Sequence, residues 1–213
     1  MTRPILHDYF RSSAAYRVRI ALNLKGIEYD SQQVDLRTGA QKSFEYRSLN
    51  PQGFVPMLEI DDRRLTQSLA IIVYLDQRFP EPSLVPGDIV DQAHVRALAL
   101  TIACDIHPLN NLRVLKYLGT KLEIEEEKRD NWYRHWITEG FTALEAMASQ
   151  RSGSFLFGNA PSLADVCLVP QMYNARRFDV ALDAFPTLVR ADANASALPA
   201  FAAAHPDRQE ASA

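Results

Sequence analysis

Apolar and polar positions follow two different rhythms along this chain. In the first part, short strand-like and helix-like pieces alternate. Pro4-Ile-Leu-His-Asp-Tyr9 reads as a strand. After a polar stop at Arg11-Ser12-Ser13, apolar positions Val18, Ala21 and Leu22 recur at helical spacing until Gly26. The stretch from Tyr29 to Leu36 alternates weakly as a second strand, and Phe44 and Leu49 mark a short helix stopped by Asn50-Pro51. Val55 to Ile60 and Arg64-Leu65-Thr66 flank an Asp61-Asp62 turn as a hairpin, and Leu69 to Phe79 is helical again. The order is βαβ, then ββα.

The Pro-rich stretch Pro80-Glu-Pro82-Ser-Leu-Val-Pro86-Gly87 breaks this rhythm and reads as a linker. Beyond it the period is helical. One run extends from Asp91 to Leu118, interrupted at His107-Pro108. A second, Glu125 to Gln150, puts Trp132, Trp136, Phe141, Leu144 and Met147 largely on one face, expected to be core. A third spans Leu163 to Phe178. Shorter helices follow, and the Ala-rich tail after Ser196 is expected to fray. The expected architecture is α/β plus all-α: residues 1–80 as an α/β domain, 81–90 as linker, and 91–213 as an all-helical domain.

Composition narrows the function classes. The 213 residues are 47% hydrophobic, enough for ordinary packed cores. A formal net charge of −3 supplies no basic field to draw nucleic acid or an anionic membrane. No apolar run reaches the length of a membrane span, and the Met-Thr-Arg-Pro start lacks the apolar region of a signal peptide. Cys104 and Cys167, far apart in apolar, helix-like surroundings, read as buried thiols of a reducing compartment. A cytoplasmic protein is expected, with neither a nucleic-acid nor a membrane partner.

Candidate chemistry lies where strands meet helices. Ser12 and Ser13 stand at such a junction, where a serine ordinarily caps the helix. The same position favours an anion, because free N–H groups and the helix dipole point at it. A hydroxyl there can donate to a thiolate and lower its pKa. With no cysteine nearby, that thiolate must come from a ligand. Gln67-Ser68 opens another helix, with Ser68 as the expected N-cap. Val55-Pro56 puts a proline at a strand start, and a cis peptide there bares the Val55 backbone groups to a peptide-like ligand.

Phe10-Arg-Ser-Ser13 with Tyr16-Arg-Val-Arg-Ile-Ala-Leu22, Leu49-Asn-Pro51, Val55-Pro56 and Gln67-Ser-Leu-Ala-Ile-Ile72 resembles the zeta class of glutathione transferases. The resemblance continues through Cys104-Asp-Ile-His-Pro-Leu-Asn-Asn111, Gly158, Leu163-Ala-Asp165, Leu168-Val-Pro-Gln171, Ala175-Arg-Arg-Phe178 and Ala204-His-Pro206. Each string is a weak signal, and their ordered set is strong. The resemblance implies a thioredoxin-like N-terminal domain that binds glutathione, a helical-bundle C-terminal domain that completes the substrate pocket, and a homodimer. It assigns Ser12 to thiolate stabilisation and Ser13 to the same cradle. Gln67 and Ser68 would hold the γ-glutamyl end and the Val55 backbone, ahead of Pro56, the cysteinyl part. Gln41 would approach the glycyl end, with His107, Asn111 and Arg113 reaching over from the helical domain. One position departs from the class: its third motif residue, often Cys, is Ala14 here, which disfavours a redox role for the loop.

The class includes the maleylacetoacetate and maleylpyruvate isomerases, so the implied activity is glutathione-dependent cis–trans isomerisation. A cis enedioate does not rotate about its double bond at a useful rate. Thiolate addition makes that bond single, rotation follows, and elimination gives the trans product and restores the thiolate. The dicarboxylate substrate asks for guanidinium groups. Arg11, beside Ser12, together with Arg113 and Arg177 are the candidates, whereas Arg17 and Arg19 are assigned to structural pairing or a domain interface. Asp165, three residues after Ser162, reads as part of a capping box rather than as a catalytic carboxylate. Maleylacetoacetate breakdown in aromatic amino-acid catabolism leads the expectations, with maleylpyruvate as the rival substrate. Conjugating or dehalogenating transfer and a non-catalytic binding protein are the further alternatives.

Overall fold

The computed structural model describes residues 3–209, which form two compact units. The first runs to Ser83 and takes up the chain again at Leu198; the second is Leu84–Ala197.

The first unit holds β1 (Ile5–Asp8), α1 (Ser13–Leu24), β2 (Asp30–Gln33), α2 (Phe44–Leu49), β3 (Met57–Ile60), β4 (Arg63–Thr66) and α3 (Ser68–Arg78). Its sheet has the order β2-β1-β3-β4, with β1 parallel to β2 and antiparallel to β3, and β3 antiparallel to β4. The element order follows the βαβ and ββα rhythm, and the sheet is the thioredoxin-like arrangement that the resemblance implies. Leu6, His7 and Asp8 of the inner strand β1 are all buried, so the apolar alternation expected of a half-exposed strand is absent there.

The second unit holds α4 (Ile89–Leu100), α5 (Leu112–Thr120), α6 (Glu126–Ala148), α7 (Leu163–Arg177) and α8 (Pro186–Ser196). The expected break near His107-Pro108 is broader than one proline requires. A π-helical turn, Thr101–Ile106, passes into a 3₁₀ turn, His107–Leu109, before Asn111 caps α5. The helix α7 is buried almost throughout and packs against α4 and α8.

Three expectations change. Within the described residues the Ala-rich tail does not fray, residues 210–213 lying outside them: Pro199–Ala204 forms α9, which buries Phe201 and Ala204 and packs on α1 of the first unit. Alanine leaves a small surface that lets two helices approach closely, and Asn23 and Arg19 of α1 donate to the Ala200 and Ala204 carbonyls at 2.9 and 3.0 Å. The Pro-rich stretch makes contacts of its own. Leu84 and Val85 are buried, the Leu163 N–H donates to Leu84 O, and the Asp88 side chain caps α4 ahead of Asp91. In α6 the core face is Tyr133, Ile137, Phe141, Leu144 and Ala148, while Trp132 and Trp136 are half-buried and Met147 is exposed. The indole of Trp132 needs a partner for its N–H and finds Leu109 O at 2.7 Å, at the edge of the core. Lastly, Cys167 is buried but Cys104, on the π-helical turn, is exposed; neither is joined in a disulfide.

Asp165 holds the second unit's central helix in register. Its carboxylate accepts from Leu156 N, Ser162 N and Ser162 Oγ at 2.8–3.0 Å, and with Ser162 it completes a capping box at the start of α7. Burial pushes its pKa up to about 6 against the pull of those donors. Asp165→Ala orphans buried donors and is expected to lower the unfolding free energy by about 3 kcal/mol. Urea denaturation measures this, and specific activity per folded molecule should stay unchanged.

Candidate active site

The loop from Tyr9 to Ser12 is fixed from behind before any side chain reaches outward. Arg19, fully buried, donates from Nη1 to both oxygens of Asp8 at 2.7 and 2.8 Å, and from Nη2 to Phe10 O at 3.1 Å. Burial pushes the Asp8 carboxyl above its ordinary range, and the charge and hydrogen bonds of Arg19 oppose that push. The Ser12 N–H closes the turn onto Tyr9 O at 2.8 Å. Arg19 thus has the structural pairing expected of it.

On this support Ser12 is the N-cap of α1, its Oγ accepting from Ala15 N at 3.2 Å. A hydroxyl that accepts one bond still has its own proton to donate, so capping and thiolate stabilisation do not compete. Ser13 is the first helical residue and is buried. Arg11 is exposed, its guanidinium 5.0 Å from the Phe10 ring centroid.

A small apolar cluster, Tyr9, Val34, Tyr46 and Val55 with Phe10, Leu36 and Ala40 packed on it, draws three site segments together. It joins the loop before Ser12, the Ala40–Lys42 turn that carries Gln41, and the cis Val55–Pro56 bond. Gln41 is buried, and its Oε1 meets no hydrogen-bond partner among the described residues. Gly53 keeps these segments close: its φ is 62°, and a Cβ there would stand 2.7 Å from Gln41 O.

The α3 start differs from expectation. Gln67, at φ 68°, occupies the cap position without a side-chain cap bond, and Ser68 is the first helical residue. Its hydroxyl accepts from Arg17 Nη1, at 3.4 Å in buried surroundings. The exposed Gln67 donates from Nε2 to Gln52 Oε1 at 2.9 Å. A non-glycine residue at positive φ is strained by about 1–3 kcal/mol, and such residues gather at ligand sites.

In the second unit, His107 opens the 3₁₀ turn and is half-buried. Asn111 caps α5 through Oδ1, which accepts from Val114 N at 3.2 Å, and Arg113 is exposed in the first turn of α5. The adjacent arginines at the end of α7 part company. Arg176 Nη2 donates to Asp192 Oδ2 at 2.6 Å, whereas Arg177 is exposed, 5.7 Å from the ring centroids of both Tyr173 and Phe178. Phe178 itself stacks on Tyr133.

Comparison with known proteins fits these features into one lineage. Residues 11–78 match the model of the glutathione S-transferase N-terminal domain, and residues 130–207 that of the C-terminal domain. A probable maleylacetoacetate isomerase of Vibrio cholerae is 51% identical over 96% of both chains. A solved maleylpyruvate isomerase, a bacterial zeta-class glutathione transferase in its holo form, superposes with a TM-score of 0.95 at 41% identity, covering 98% of this chain and 100% of that one. The chain belongs to the zeta class of glutathione transferases. A maleylacetoacetate isomerase of Anaeromyxobacter dehalogenans, solved with dicarboxyethyl glutathione and citrate in its active site, is 43% identical with a TM-score of 0.85, covering 97% and 95% of the two chains. In this zeta-class chain Arg17, assigned to structural pairing or a domain interface, lies buried with its Nη1 3.4 Å from Ser68 Oγ. It is a charge among the buried positions of α1, five residues after Ser12.

The buried Asp8–Arg19 pair gives a direct test of how the loop is held. Arg19→Met leaves Asp8 buried and uncompensated and is expected to cost about 3–5 kcal/mol in chemical denaturation. The double variant Asp8→Leu/Arg19→Met should recover much of that loss, since no charge then remains buried.

Proposed function

We propose that this chain is a glutathione-dependent cis–trans isomerase that converts maleylacetoacetate to fumarylacetoacetate in aromatic amino-acid breakdown, acting in the cytoplasm as a homodimer. Near-full-length likeness to isomerases carries the reading. The site residues fit glutathione: a capped helix start with a donor hydroxyl suits a thiolate, and a second helix start suits a carboxylate. The buried Oε1 of Gln41 suits an N–H of a peptide.

Bound glutathione supplies the thiolate that adds reversibly to the substrate's activated double bond, so that rotation can occur before elimination. The chain's residues do the rest. Ser12 donates to the sulfur and lowers the pKa of the thiol, assisted by the α1 dipole; Ser13 lines the same cradle. Gln67 and Ser68 hold the γ-glutamyl end, and Val55, ahead of Pro56, pairs with the cysteinyl part. Gln41 takes the glycyl end, with His107, Asn111 and Arg113 as further glutathione contacts. Arg11, Arg113 and Arg177 hold the carboxylates and stabilise the charge that moves onto the conjugated carbonyl.

Purified protein is expected to isomerise maleylacetoacetate only when glutathione is present, with Ser12→Ala slowing turnover about 10²-fold. Equal rates with and without glutathione would sink this mechanism. Maleylpyruvate is the second reading, favoured by the 0.95 TM-score to a maleylpyruvate isomerase, and faster turnover of maleylpyruvate in a side-by-side assay would select it.

Arg176 and Arg177 separate structure from substrate binding. Arg177→Gln is expected to raise KM for the dicarboxylate roughly 10-fold or more, the worth of a charge-assisted hydrogen bond, with the glutathione KM unchanged. Arg176→Gln should leave both KM values alone and lower thermal stability through loss of its Asp192 contact.

A further inference from the structure

We propose that Arg17 is the positioning residue of the γ-glutamyl subsite, setting the Ser68 hydroxyl as a donor to the ligand's α-carboxylate and adding a buried positive charge to it. The inference rests on the glutathione reading and extends it to a residue that touches Ser68.

The argument begins with what a guanidinium can do. It has N–H donors and no acceptor, and it stays protonated throughout the working pH range. Arg17 Nη1 lies 3.4 Å from Ser68 Oγ with both residues buried. In that contact Ser68 can only accept, so its own proton is directed elsewhere. A serine at the first position of a helix ordinarily turns its oxygen back onto the backbone and spends its lone pairs there. Here the cap position belongs to Gln67, which makes no capping bond. The α3 start therefore offers N–H groups without a side-chain cap, a hydroxyl proton that the Arg17 contact does not use and a positive helix end, which together match a carboxylate.

Arg17 is only 2% exposed. A charge so withdrawn from water is little screened, and its field on a neighbouring anion exceeds that of a surface arginine. Its placement also links the two ends of the cradle. Arg17 lies on α1, whose first turn carries Ser12 and Ser13, and α1 packs directly against α3. One rigid helix thus sets both the thiolate donor and the orientation of Ser68.

The test compares glutathione with 4-aminobutyryl-cysteinylglycine, the same tripeptide without its α-carboxylate, by calorimetry and steady-state kinetics. Wild type should prefer glutathione, and Arg17→Gln should lower that preference about tenfold. The glutathione KM should rise while kcat at saturating glutathione holds. Arg17→Lys, which restores the charge, should recover part of the preference. Equal weakening of both tripeptides, or a fall in kcat at unchanged KM, overturns the inference. If Arg17→Gln does not fold, the wild type decides: a buried contact predicts that its preference persists at about 1 M salt, and loss of the preference there overturns the proposal. Wild-type protein that binds neither tripeptide overturns the glutathione reading itself, a result distinct from the others.

Discussion

The buried pair of Asp8 and Arg19 is the constraint on which the first unit's site depends. Two charges removed from water are costly unless geometry and further hydrogen bonds compensate. Arg19 meets that demand by making every bond structural: two to Asp8 at the end of β1, one to Phe10 O in the loop, and one to Ala204 O in α9. Strand end, loop, helix and tail are thereby fixed with respect to one another. Ser12 needs no special anchoring of its own, because the turn that presents it is already determined on both sides.

The same economy of roles recurs at both helix starts of the first unit. At α1 the serine caps and keeps a proton to donate. At α3 the serine gives up capping, and the backbone at Gln67 accepts a positive φ in exchange for an outward-facing start. The two solutions differ because their neighbours differ. Ser12 follows a loop that closes on itself through Tyr9 O, whereas Ser68 has a guanidinium within reach, toward which its hydroxyl can only accept.

Much of this was legible in the sequence, and the exceptions share a cause. The strand-helix alternation, the hairpin at Asp61-Asp62, the stop at Asn50-Pro51 and the Ser162–Asp165 capping box are local signals, and the structure follows them. What escaped depends on contacts distant in sequence. The alanine tail reads as weak until α1 offers it Arg19 and Asn23 as donors. Trp132 reads as core by size, but its N–H draws it to Leu109 at the core's edge. The Ser68 hydroxyl reads as a cap because Arg17 is 51 residues away. Of the proposed site residues, Ser12, Val55-Pro56 and Gln67-Ser68 stood out through the ordered motif set, whereas the different surroundings of Arg176 and Arg177 follow only from the position of Asp192 in α8.

Those two arginines also bear on how selectivity can vary within such a scaffold. Of the residues assigned to glutathione, those of the first unit are embedded there: Ser12 rests on the Arg19 network, Gln41 and Val55 on one apolar cluster, and Ser68 on Arg17. A change at any of them disturbs a packed neighbour. Arg177, by contrast, is exposed, held by a 3.5 Å contact to Asn174 and by the faces of Tyr173 and Phe178. Substitution of Tyr173 or Asn174 alters how that guanidinium is presented without touching the loop that presents Ser12. With Arg177 in its proposed role, preference between two cis diacids of different length is most readily shifted at the end of α7, while Ser12 and its supports, bound into their own unit, stay constant.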